Sequence, residues 1–257
     1  MTPRVLRAAL FTLATGLLIL GGGFWLRGDW ALALWPWPDG PLSHLFVASI
    51  LLGQSAALFW TGWTLELGAA RGGAVGFALM CGGLAATTGW LYAQRGEGLL
   101  LGWAVVCAVL AAGGASLAVI GRRFPWKDAR PVPTVVRGSF LVFAVALAIT
   151  TVLLLIQVPV VFPWKLKPES SVMFGCLFLA SAAYFFDGWR RPGAANAFGQ
   201  LAAFLVYDLV LLPPYLRHWP KTEGGFRISL VIYLAVLLWS ALLAVWYWRR
   251  YGFGRRG

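Results

Sequence analysis

Eight stretches of predominantly apolar residues, each about 18 or more long, run through this chain at approximately 8–26, 42–64, 73–93, 99–120, 135–158, 170–189, 197–216 and 228–248. A helix of that length crosses roughly 30 Å of hydrocarbon, so each run reads as a transmembrane helix. A chain of 257 residues that is 60% hydrophobic and 12% charged cannot hide its apolar surface in one soluble core, because polar residues must cover the outside of a globule in water. The expected fold is all-α and polytopic, with eight spans. The first run follows Arg4 and Arg7 like a signal peptide. It is long, lacks an A-x-A cleavage site and leads into further spans, so it is expected to be a retained helix.

The formal net charge is +12, yet the basic residues sit almost entirely between the spans. With the N-terminus inside, the cytoplasmic segments hold Arg4, Arg7, Arg71, Arg122, Arg123, Lys127, Arg130, Arg137, Arg190, Arg191, Arg249, Arg250, Arg255 and Arg256. The opposite side holds Arg27, Arg95, Lys165, Lys167, Arg217, Lys221 and Arg227. This two-to-one bias places both termini in the cytoplasm of an inner (plasma) membrane, and makes anionic lipid headgroups the expected partner of the basic charge. Nucleic acid is not expected, since no aromatic-basic motif lies in a soluble segment. Cys81, Cys107 and Cys176 fall within spans and form no C-x-x-C pattern, which leaves disulfides, zinc and covalent haem unsupported.

The two halves of the sequence match each other. "SAALFWTGW" at 55–63 and "SAAYFFDGW" at 181–189 share six residues in register, and "WPWPDGPLS" at 35–43 pairs with "FPWKLKPES" at 162–170. Gly68-Ala69-Ala70 pairs with Gly193-Ala194-Ala195, and Arg122-Arg123 with Arg249-Arg250. Shared hydrophobicity alone would not place Pro, Gly and Trp in step over more than 80 residues, so the chain reads as a duplicated four-helix unit. The repeats are 1–120 and 135–257, joined by a basic, proline-rich linker at 121–134. Four spans return the chain to its starting side, so the repeats are expected to be parallel.

The stretch "FPWKLKPESS", with its companion "LWPWPDGPLS", resembles the W-P-W-x-L-x-P element that opens a helix in various multi-pass bacterial membrane proteins of uncharacterised activity. The resemblance covers about twenty residues per repeat and implies no activity. The first copy departs from it in carrying Asp39-Gly40 where the second has Leu166-Lys167. A further "FPWK" at 124–127 lies at the junction between the repeats and has no counterpart in them. Its likeness follows from common physics, in which Pro ends a helix, Trp sits at headgroup level and Lys snorkels to water.

Segment 27–41 is too short to cross and rich in Trp, so a partial interfacial helix or hairpin is expected there. Trp30, Trp35, Trp37, Trp126 and Trp164 read as interfacial anchors. Small residues four apart, Gly72/Gly76, Ala78/Gly82/Ala86 and Ala85/Gly89 in the third span and Ala104/Ala108/Ala112/Ser116 in the fourth, mark where helices can approach closely. The eighth span is large and aliphatic nearly all round, which points to lipid or a membrane-protein partner.

Asp208 is the one carboxylate well inside a span. An ionised Asp at mid-helix costs about 2.5–3.5 kcal/mol on insertion scales, so it should face protein or a water-filled cavity and have a partner. It reads either as a structural hydrogen bond between helices or as a proton or cation site, with Tyr207 beside it and a break at Pro213-Pro214 loosening the helix. The aligned position in the first repeat is Gly83. Gln54 and Gln200 complete the candidate polar site, and they, Gln157, Thr87, Thr88, Thr150 and Thr151 are expected to bond between helices. His44 and His218 lie near span ends and read as interfacial residues rather than the axial pair of a haem, so no cofactor is expected. Asp187 and Glu66, at cytoplasmic helix ends, are expected to pair with Arg190, Arg191 or Arg71. No nucleotide-binding, metalloprotease or nucleophile-elbow motif is present. The expected function is a non-catalytic membrane subunit that scaffolds a complex or holds lipid-like molecules. The alternative is a small transporter or channel using Asp208, and the third reading is an enzyme acting on a lipid or isoprenoid.

Overall fold

The computed structural model describes residues 3–37 and 39–252; Arg255 and Arg256 of the basic count lie outside them. Nine α-helices are formed among the described residues: α1 (Pro3–Trp25), α2 (Asp29–Leu32), α3 (Pro41–Thr64), α4 (Ala70–Arg95), α5 (Gly98–Gly121), α6 (Thr134–Leu155), α7 (Pro168–Arg190), α8 (Ala194–His218) and α9 (Gly224–Tyr251). All but α2 are long and apolar enough to cross a bilayer, and the chain is an all-α polytopic membrane protein. The prolines shared by the two matching stretches open α3 and α7, where a residue without an N–H loses nothing because the first-turn donors have no helical acceptor. Among the described residues of segment 27–41, Asp29–Leu32 forms the single turn α2, with Trp30 exposed.

Two helices end alike. α1 and α6 both close in a Schellman motif, in which Gly28 N–H donates to the Gly23 carbonyl and Val158 N–H to the Leu153 carbonyl, each at 2.9 Å. The residue bridging each motif is left-handed, Arg27 at φ 56° and Gln157 at φ 60°. Near the opposite ends of the same helices, Arg7 Nε donates to the Gly62 carbonyl and Arg137 Nε to the Trp189 carbonyl, both at 3.2 Å.

The helices cluster into two compact units, and each unit draws helices from both halves of the sequence. The first holds α1, α2, α3, α9 and α8 from Phe198 onward, together with the short segment Phe162–Lys165. Within it Ser55 Oγ ties α3 to the Ala14 carbonyl of α1 at 2.7 Å, and Phe11 stacks on Phe59. α3 and α8 approach so closely at Gly53 that a Cβ there would lie 2.9 Å from the Ala203 carbonyl oxygen.

The second unit holds α4 to α7 apart from Phe162–Lys165, with the connections around them. α4 meets α7 along Gly72 and Gly76, where added Cβ atoms would lie 2.5 Å from Asp187 Oδ2 and 2.7 Å from the Ala180 carbonyl oxygen. Small side chains here let two backbones touch, the usual device where lipid supplies no hydrophobic drive to associate. The stripe expected on α5 behaves differently. Ala108, Ala112 and Ser116 face outward, and α5 packs instead through Cys107, Gly114 and Ala118. The reason is compositional: small residues are scattered around α5 among its Leu, Val and Ile, so residue size alone does not choose its packing face.

The basic linker is bound to the second unit rather than free. Ala194 and Ala195 donate backbone N–H groups to the carbonyls of Arg130 and Asp128, and Lys127 N–H donates to Glu66 Oε2 at 2.9 Å. Asp187 pairs with Arg191 through two parallel bonds, 2.8 and 2.5 Å long. The same guanidinium lies over the Trp126 ring and donates to the Gly68 carbonyl at 3.3 Å.

Candidate functional site

Asp208 is fully buried in α8 and meets Ser240 of α9, with Ser240 Oγ 2.7 Å from Asp208 Oδ2. Ser240 Oγ also lies 2.9 Å from the Val236 carbonyl and 3.2 Å from the Leu237 carbonyl of its own helix. A hydroxyl has one hydrogen to donate, so these three acceptors compete for it. Asp208 Oδ1 has no hydrogen-bond partner among the described residues. One oxygen therefore joins α8 to α9, and the other is buried without a protein donor.

The remaining candidates distribute unevenly around this pair. Tyr207 turns to an aromatic set, with ring centroids 6.1 Å from Phe46 and 5.6 Å from Phe204. Gln200 is fully buried on α8, but eight residues at the helical rise put it about 12 Å from Asp208 along the axis, too far for one small ligand. Gln54 is half-buried on α3. The expected break at Pro213-Pro214 is not seen, for α8 continues through both prolines to His218. Each proline still removes one N–H donor, which deprives the carbonyls of Leu209 and Val210 of their helical bonds.

The span threonines turn first to their own helices. Thr87, Thr88, Thr150 and Thr151 each donate to the carbonyl four residues earlier in the same helix, at 2.7–2.9 Å, and Thr87 is also hydrogen-bonded across to the Cys176 thiol of α7, as expected. A hydroxyl on a short side chain reaches that carbonyl within its own helix, and the bond satisfies it wherever the neighbour lies.

The segment Phe162–Lys165 is an inward plug. Phe162 is buried, with centroids 5.0 Å from Phe46, 5.4 Å from Tyr233 and 4.8 Å from Trp164. Trp164 Nε1 donates to Ser43 Oγ at 3.1 Å, and its ring meets fully buried Tyr215 at 5.8 Å. The Tyr215 hydroxyl has no hydrogen-bond partner among the described residues. Of the five tryptophans read as anchors, Trp37 is buried, Trp35, Trp126 and Trp164 are half-buried, and Trp30 is exposed. His44 is buried with its ring 6.3 Å from Phe24.

Ser240 was not among the residues singled out from sequence. Its signal was a lone hydroxyl in the middle of the aliphatic run "VLLWSALLAV". Among the described residues no group of three or more His, Cys, Asp or Glu could hold a metal ion. Comparison of the chain with protein-family models, with curated proteins and with solved structures finds no match in any of the three.

Proposed function

We propose that this protein is a non-catalytic integral membrane subunit that scaffolds or stabilises a membrane complex or holds lipid-like molecules. It has both termini in the cytoplasm of an inner membrane and arose by duplication of a four-helix unit. The observation that carries the subunit reading is the division of labour within the spans, where threonine hydroxyls are spent on their own backbone while whole helix faces stay apolar and uncovered. One such face is the α9 stripe of Ile228, Val231, Ile232, Leu238, Trp239 and Leu242, all about half or more exposed. With exposed Ala235 bridging Ile232 and Leu238, the stripe makes one continuous helix face, suited to a partner helix. The matching Schellman motifs and the paired Arg7 and Arg137 contacts support the duplication, since neither depends on hydrophobicity. Each compact unit, moreover, takes the first two spans of one repeat and the last two of the other.

The unpartnered Asp208 Oδ1 favours a second reading, a transporter in which Asp208 exchanges a proton or cation. Variants separate the two. Replacing Leu238, Trp239 and Leu242 together by Ala keeps α9 apolar and helical, and is expected to shift the protein from a larger complex to a smaller species on blue-native gels. Asp208→Asn is expected to leave the complex intact, because an amide still bonds Ser240 Oγ. Loss of a transport activity in Asp208→Asn, with the assembled size unchanged by the α9 variant, would favour the transporter.

A further inference from the structure

A groove of about 500 Å³ opens in the second unit where the C-terminal ends of α4 and α6 meet the start of α7. Its mouth is polar. Arg95 of α4 and Glu169 of α7 form an ion pair there, flanked by Gln94 and Gln157. The pair is not closed on itself, because the contact between them uses only Nη2 of Arg95 and Oε1 of Glu169, and the Glu169 carboxylate otherwise accepts from its own backbone N–H. A guanidinium carries five donors and a carboxylate about four acceptor sites, so both groups keep capacity for a ligand.

Below the mouth the groove becomes apolar, with Leu91, Val172 and Ala86 along its walls and Trp90 standing exposed at its side. Thr87 faces the same space, but its hydroxyl is already given to the Gly83 carbonyl, so that wall offers no free donor. Nine residues separate Arg95 from Ala86 along α4, which at the helical rise makes the groove about 13 Å deep. A charged mouth above an apolar foot of that depth matches an amphiphile rather than a soluble ion.

The charges at the mouth restrict the headgroup. An anion would meet Glu169 as well as Arg95, and a cation would meet Arg95 as well as Glu169. A neutral headgroup with both signs satisfies the two at once, its phosphate taking the remaining donors of Arg95 and its ammonium donating to the remaining acceptor sites of the Glu169 carboxylate. Glu169 and the glutamine oxygens accept hydrogen bonds, so an ammonium that still carries hydrogens fits better than a quaternary one. We infer that this groove binds a zwitterionic phospholipid through its phosphate and primary ammonium, with the acyl chain along Leu91 and Ala86. The inference rests on the lipid-holding part of the proposed function and names its site and ligand.

The test is native mass spectrometry of the delipidated chain in detergent, titrated with phosphatidylethanolamine, phosphatidylcholine and phosphatidylglycerol of identical acyl chains. Phosphatidylethanolamine is expected to give the dominant adduct. Arg95→Ala or Glu169→Gln removes a charge-assisted contact and should lower that adduct roughly tenfold. Ala86→Trp fills the foot of the groove from its exposed side, leaves both charges in place, and should produce a similar loss. Equal binding of the three lipids, a preference for phosphatidylglycerol, or adducts unchanged in all three variants would overturn the inference. The titration uses the isolated chain, so its failure overturns the groove alone, whereas the subunit reading stands or falls on partner retention from native membranes.

Discussion

Arg191→Ala should lower the stability of the second unit by about 2–3 kcal/mol, because one guanidinium there serves several acceptors and truncation abandons them together. The side chain spans Asp187 with two parallel bonds, reaches the Gly68 carbonyl and covers the Trp126 ring. Arg191 and Asp187 are 24% and 18% exposed, so water replaces the lost bonds only in part. Asn196 would remain on Asp187 Oδ2 at 3.2 Å, which is one neutral donor where a charged fork had been. Arg191→Lys tests the geometry separately from the charge. A point charge cannot make the parallel pair, so Lys should recover less than half of the loss. Thermal unfolding in detergent followed by circular dichroism reads both, with an expected fall of roughly 5–10 °C for the Ala variant.

Two glycines on one helix should respond to substitution with opposite sign. Gly76→Val forces a branched side chain against the backbone of α7, where even a Cβ would lie 2.7 Å from the Ala180 carbonyl oxygen and 3.4 Å from its carbon. A backbone carbonyl in a helix cannot rotate aside as a side chain would. The helices must separate, at a cost of about 1–3 kcal/mol or more. Gly82→Ala, six residues further along α4, meets nothing within 4 Å. Removing a glycine from a helix interior there should stabilise the protein by about 0.5–1 kcal/mol through the unfolded chain. The same unfolding measurement on both variants would contradict the packing described if Gly76→Val were neutral or Gly82→Ala destabilising.

The contrast between those glycines shows where sequence stops being informative. The eight spans were legible because crossing hydrocarbon demands a long apolar run whatever the neighbours are. Asp208 was legible because a lone carboxylate in such a run is expensive to leave exposed. Its partner Ser240 was not, since many hydroxyls are available and only the crossing of α8 and α9 selects one. The α5 stripe misled for the related reason that Gly and Ala permit contact without directing it, and Gly114 and Ala118 took the contact while Ala108 and Ala112 did not. Trp164 carries the composition of a surface anchor, yet its indole N–H finds Ser43, 121 residues away in sequence. No local pattern encodes that bond. The interleaving of both halves in each compact unit is equally invisible to a linear comparison, which aligns the matching stretches without saying which helices pack together.

The subunit reading meets its most direct test in purification from native membranes at endogenous expression, in gentle detergent or nanodiscs, followed by mass spectrometry of the proteins and lipids that accompany the chain. The reading predicts a second protein at fixed stoichiometry that is lost when the exposed face of α9 is truncated to Ala. Recovery of the chain alone, at the size of a single copy with only bulk lipid around it, would contradict it and make Asp208 the first residue to test for transport.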